Sequence, residues 1–164
     1  DVRVPARLRC GSEGMGFLGL MHNFNNERLM LAGMAVSFSR VCLEDAVAWA
    51  QTRETFGRPL IKRQVIRHKL VEMQSRIAAA DALLKQTARR VDAGEEPVAE
   101  VCMVKTLSTD LLEYVAGEAV QILGGMGYMR GTRVERIFRE SKVLSIGGGA
   151  SEILRDLAAR QLGW

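Results

Sequence analysis

Aromatic side chains make up only 5% of these 164 residues, and proline occurs only at Pro5, Pro59 and Pro97. With few aromatics, Ala, Leu, Val and Met must build the interior, which suits helix-on-helix packing better than a β-sandwich. With few prolines, long uninterrupted helices are allowed, since an interior proline breaks one. Cysteine is sparse as well: Cys10, Cys42 and Cys102 are odd in number, far apart and without zinc-ligand spacing, and His22 and His68 do not complete a set. That argues against a metal site and predicts buried, reduced thiols in an intracellular protein. No apolar run approaches the roughly 20 residues of a membrane span. No signal or transit peptide is visible, and the start reads as a cut inside a longer chain. The net charge of +4 is dispersed among acids without a Lys/Arg block, which gives little support to nucleic-acid binding.

The chain does contain long helical periodicity. After a loop with Gly11, Gly14 and Gly16, Asn25 or Asn26 is placed to cap a helix running to about Thr52, with Leu31, Met34, Phe38, Val41, Ala46 and Trp49 as its apolar positions. A second helix is predicted from about Arg63 to Ala93, with Ile66, Leu70, Met73, Ile77, Leu84, Ala88 and Val91 at helical steps. Gly94 and Pro97 punctuate its end. A third runs from about Val98 to Leu123, and two short helices span about Arg133–Lys142 and Ser151–Gln161. Short connections between long helices pack most simply as an all-α antiparallel bundle, the last helix supplying a fourth wall. Residues 1–23 read as the tail of a preceding β-domain and its linker, Asp1–Pro5 as the end of a strand, and 24–164 as the bundle.

Three glycine-bearing turns stand at the helix ends: Arg53-Glu54-Thr55-Phe56-Gly57, Gln121-Ile122-Leu123-Gly124-Gly125-Met126-Gly127-Tyr128 and Ile146-Gly147-Gly148-Gly149-Ala150-Ser151-Glu152. The second is not a dinucleotide fingerprint, because that motif follows a strand and opens a helix, whereas this segment closes one. It is either a glycine C-cap with a wide turn or bare backbone that lets a flat ligand approach. In the first, Arg53 suits a helix C-terminus and Phe56 suits the edge of a core. In the third, three glycines precede a helix start, with Ser151 as its expected N-cap, whose free N–H groups can meet a carbonyl or anion.

Taken together, the order of helices and the wording of these turns resemble the C-terminal domain of the flavin-dependent acyl-CoA dehydrogenases, from about Gly14 onward. The resemblance implies a helical bundle at the centre of a homotetramer or dimer, acting on acyl-CoA with FAD, with electron-transfer flavoprotein as electron acceptor. It implies a cytoplasmic (bacterial) or mitochondrial-matrix enzyme of fatty acid β-oxidation. It places Arg53, Thr55, Phe56, Gln64, Gln121, Gly125, Ala150 and Glu152 against FAD, partly across a subunit boundary, and Asn25, Arg28 and Gly148 near the substrate.

In many members of that family the catalytic glutamate stands in the last turn, within Tyr-Glu-Gly-Thr. Here Gly147-Gly148-Gly149-Ala150 puts a glycine at that place. A branch with isovaleryl- and long-chain-type enzymes carries it at the start of the first bundle helix, wording that Asn26-Glu27-Arg28-Leu29 matches. The resemblance thus implies Glu27 as the base for the α-proton, the β-hydride passing to flavin N5, with Arg28 able to orient it. Without the resemblance, Glu27 is an ordinary first-turn acid. The alternatives are an acyl-CoA oxidase-like flavoprotein of the same superfamily and a non-catalytic helical assembly module.

Overall fold

The computed structural model describes residues 1–164 as an all-helical bundle, with one two-residue hairpin as its only sheet. Its elements are α1 (Gly16–Thr52), β1 (Glu54–Thr55), β2 (Arg58–Pro59), α2 (Gln64–Asp92), α3 (Val98–Leu123), α4 (Gly125–Tyr128), α5 (Arg133–Ile146) and α6 (Ser151–Gln161). Single 3-10 turns occur at Ala6–Leu8 and Leu60–Lys62. The short connections reverse the chain twice, so α2 runs against α1 and α3, which share a direction. α3 is the central helix, packed against α1, α2, α5 and α6.

α3 meets its neighbours with Val101, Val104, Leu111, Val115, Ala119 and Ile122 buried, as the periodicity predicts. α2 buries Leu70, Met73 and Ile77 in the same way. On α1 the inward stripe is turned from the expected one. Ala32, Ala35, Val36, Cys42, Ala46 and Ala50 are buried, whereas Leu31, Phe38, Val41 and Trp49 pack along the flank and Met34 is exposed. Small residues let α1 and α3 approach closely, and the larger side chains then close the groove on either side.

Two boundaries differ from expectation. α1 starts at Gly16 and carries Asn25 and Asn26 in its interior, its N-terminal residue Met15 making no side-chain cap. Asparagine costs a helix interior only about 0.7 kcal/mol, and Asn25 directs its carbonyl oxygen to Arg28 instead of to a free backbone N–H. At α6 the N-cap position is Ala150, not Ser151, and no side chain caps it. Asp1–Pro5 has no strand partner in this chain and is exposed. α5 is capped by the Thr132 hydroxyl, which accepts the Glu135 N–H at 3.1 Å.

Cys42 and Cys102 are buried free thiols, but Cys10 is exposed. Burial, reinforced by the charge of Asp45, pushes the Cys42 thiol from 9.0 up to about 12. The folded state therefore keeps this proton when the unfolded state has lost it. The thiol's contribution to stability is whole below pH 9 and drains away as pH climbs toward 12. Cys42→Ala should remove that alkaline slope, so the unfolding free energies of parent and variant, measured in urea, should converge above pH 9. A difference that stays constant through the same window contradicts the buried thiol.

Candidate active site

At the C-terminal end of α1 the chain turns through a tight hairpin in which Thr55 faces Arg58. Its two central residues, Phe56 at φ 50° and Gly57 at φ 74°, both take the left-handed conformation that two-residue hairpins favour. For phenylalanine this conformation is strained. It aims the ring outward, 97% exposed, so Phe56 does not cover the core edge. Arg63 braces the tip: it donates to the Thr55 carbonyl at 2.6 Å, and its guanidinium lies 5.7 Å from the Phe56 ring centre. Arg53 is exposed beside it, and Gln64 opens α2 with its amide 3.4 Å from His68 Nε2.

The topology brings the end of α3 to this same end of the bundle. Gly124 terminates α3 at φ 62°, a glycine C-cap. The glycines that follow have different causes. A Cβ on Gly127 would meet the Val120 carbonyl oxygen at 2.7 Å, because α4 folds back onto α3. A Cβ on Gly125 would meet nothing within 4 Å, so nothing in this chain requires a glycine there. Gly127→Ala should therefore lower stability by about 1–3 kcal/mol through overpacking, while Gly125→Ala should leave it unchanged; thermal unfolding of the two variants tests the distinction. Gln121 and Tyr128 stand exposed on either side.

Glu27 lies far from this end. The 26 residues from Glu27 to Arg53 rise about 39 Å along one helix. Glu27 is half-buried, and its carboxylate accepts a hydrogen bond from the Asn23 amide at 2.7 Å. Arg28 does not bond to it. That side chain is buried and crosses to the turn between α5 and α6, where Nε donates to the Gly148 carbonyl at 2.9 Å while Nη1 donates to Asn25 Oδ1 at 2.9 Å. The structure thus joins Asn25, Arg28 and Gly148 by hydrogen bonds, with Glu27 next in the chain, and Ala150 and Glu152 follow directly. Beside them a cleft between α1 and the α2–α3 connection is lined by His22, Asn25, Asn26, Leu29, Pro97 and Val98.

Gly148 sits at φ 68°, and a Cβ there would lie 2.9 Å from Leu31 Cδ1. This left-handed backbone disfavours a side chain at the place where the resemblance locates the alternative carboxylate. Lys105, which the sequence reading passed over, supports the same turn: its fully buried ammonium donates to the Ser145 carbonyl at 3.1 Å and the Gly149 carbonyl at 3.0 Å.

A family model described as acyl-CoA dehydrogenase, C-terminal domain, matches residues 14–163. The chain belongs to the acyl-CoA dehydrogenase family. It is 37% identical over 172 residues to acyl-CoA dehydrogenase AFT10-1 of Alternaria alternata, covering 98% of this chain and 40% of that protein. Among solved structures it superposes on a probable acyl-CoA dehydrogenase of Mycobacterium abscessus with a TM-score of 0.97 and 47% identity, covering 99% of this chain and 43% of that one. Butyryl-CoA dehydrogenase of Megasphaera elsdenii gives a TM-score of 0.95 at 34% identity, covering 100% and 43%. The chain thus spans about two fifths of the length of these relatives and corresponds to their C-terminal helical domain. No helix in it is long and apolar enough to cross a membrane.

Proposed function

We propose that this chain is the base-bearing C-terminal domain of an FAD-dependent acyl-CoA dehydrogenase of the branch whose catalytic carboxylate stands on the first bundle helix. The observation that carries the assignment is the pairing of Glu27 with Gly148. Gly148 carries no side chain and its left-handed backbone disfavours one, while Arg28 ties its carbonyl to the helix turn that presents Glu27. One carboxylate is thereby supplied where two backbone origins were available.

An acyl-CoA α-hydrogen is too weakly acidic for water to remove at neutral pH, so a positioned base is required. Glu27 takes that proton onto its carboxylate, and Asn23 holds the carboxylate's orientation. By the resemblance Asn25 and Arg28 meet the CoA portion of the substrate, and the glycine turn offers backbone close to the reacting thioester. FAD, when bound, supplies the two-electron acceptor for the β-hydride. The residues assigned to it fit such a group: an outward aromatic beside free arginine at Phe56 and Arg53, and glycine backbone at Gly125 that nothing in this chain explains.

By the family resemblance, Arg53, Thr55, Phe56, Gln64, Gln121 and Gly125 contact the FAD of a neighbouring subunit, and their hairpin stands about 39 Å along α1 from Glu27. By the same resemblance Ala150 and Glu152, beside the glycine turn, contact FAD across the subunit boundary. In this reading the bundle belongs to a homo-oligomer and follows a β-domain, and electrons leave to electron-transfer flavoprotein in the bacterial cytoplasm or the mitochondrial matrix. The 164-residue chain alone is then helical, colourless, inactive and self-associating, since Phe56, Tyr128 and Ile146 are 97%, 83% and 59% exposed. Mixing the full-length protein anaerobically with a series of acyl-CoAs tests the reading. Bleaching of the flavin by at least one is expected, and a flavin that none reduces refutes it.

A further inference from the structure

Lys105 is the largest fully buried side chain in the protein, and none of its hydrogen bonds goes to an acid. It rises from the N-terminal third of α3 and spends two of its three N–H donors on main-chain carbonyls, one at the end of α5 and one in the turn after it. The first, Ser145, lies in the last turn of α5, where helix carbonyls have no partner within the helix and a cation complements the dipole. The second, Gly149, lies in the turn itself, at φ 111°. From the opposite side Arg28 takes the carbonyl between them, that of Gly148. Two cations from two helices thus grip three carbonyls, one at the end of α5 and two in the glycine turn that follows.

This arrangement carries an electrostatic cost. Burial pushes the Lys105 ammonium below its usual range, and the neighbouring charge of Arg28 pushes the same way against a weaker opposing effect of Asp110. A buried methionine in its place would fill the same volume without that cost. Glycines at φ 68° and 111° otherwise give the turn maximal freedom, so what the lysine provides is a fixed path for this backbone.

We infer that Lys105 is a positioning residue for catalysis: it fixes the Gly148–Ala150 backbone against α1 and so sets the spacing between the Glu27 carboxylate and the thioester lying on that turn. The inference rests on the function proposed above. Lys105 touches no reacting atom; it acts through the turn and, across Gly148, through Arg28.

The test uses the full-length flavoprotein with Lys105→Met, Lys105→Arg and Glu27→Gln in parallel. Lys105→Met is expected to keep its flavin content and a KM for acyl-CoA within about threefold of the parent, with kcat about 10–100-fold lower, the scale of a small misplacement of reacting groups. Lys105→Arg, which keeps the charge and donors, should recover most of that loss. In hydrogen exchange the peptide spanning Ser145–Ser151 should exchange faster in Lys105→Met than in the parent. An unchanged kcat overturns the inference, as does a joint fall of kcat, flavin content and thermal stability without rescue by arginine. If Lys105→Met does not fold, the parent alone decides: exchange at the glycine turn as fast as in the exposed α2–α3 connection overturns the clamp, and strong protection sustains it. Glu27→Gln separates the two levels. If it turns over normally the base assignment has failed, whereas an inactive Glu27→Gln beside a normal Lys105→Met sinks the clamp alone.

Discussion

Glu27→Gln in the full-length flavoprotein is expected to slow flavin reduction by acyl-CoA about 100- to 10,000-fold, the range that loss of a positioned general base commonly costs. Flavin content and substrate affinity should stay near parental, because glutamine keeps the size of the side chain and can still accept from Asn23 through its carbonyl oxygen. The expected size of the effect depends on the absence of a substitute. Position 148 is a glycine and brings no carboxylate, and its φ of 68° is a conformation in which a side chain is strained. Glu152 is the remaining acid near the turn, but it is exposed in the first turn of α6. Near-normal flavin reduction by Glu27→Gln, read by stopped-flow absorbance, would transfer the role to Glu152.

The second large effect is expected on cofactor retention. Arg53→Ala combined with Phe56→Ala should weaken FAD binding about 100-fold, or about 3 kcal/mol, from one charge-assisted phosphate contact and one lost aromatic cover. Neither side chain is part of the core of its own subunit: Phe56 is held outward at 97% exposure and Arg53 is exposed at the end of α1. Helicity by circular dichroism should therefore survive while the flavin-to-protein ratio after dialysis falls. A double mutant that remains fully yellow would place the hairpin outside any flavin site.

Much of the bundle was legible from periodicity because α2 and α3 end on residues with one conformational meaning. Gly94 and Pro97 separate them, and Gly124 closes α3 at positive φ. The start of α1 was harder to read. Asn25 and Asn26 look like caps, yet α1 runs through them from Gly16, and two interior asparagines cost a helix little. The inward stripe of α1 was missed for a related reason. Size suggests that Leu31, Phe38 and Trp49 face the core, but close helix approach selects alanines instead.

The site residues divide in the same manner. The tips of the turns were visible as glycine wording, while what supports them was not. Arg28 was expected to orient Glu27, but adjacent residues of a helix point in different directions, and Arg28 reaches the α5–α6 turn instead. Lys105 looked like a surface residue by type. Its position four residues after Val101 and beside Val104, on the buried stripe of α3, was the available signal.

The most direct measurement of the central claim is exchange of the substrate's α-hydrogen with deuterated solvent. It uses an acyl-CoA analogue that can lose the α-proton but has no β-hydrogen to transfer, incubated with the full-length flavoprotein and read by mass spectrometry. Proton removal is then observed without flavin reduction. The parent and Glu152→Gln should exchange rapidly, and Glu27→Gln should exchange no faster than buffer. Exchange by Glu27→Gln at the parental rate would contradict the account at its base.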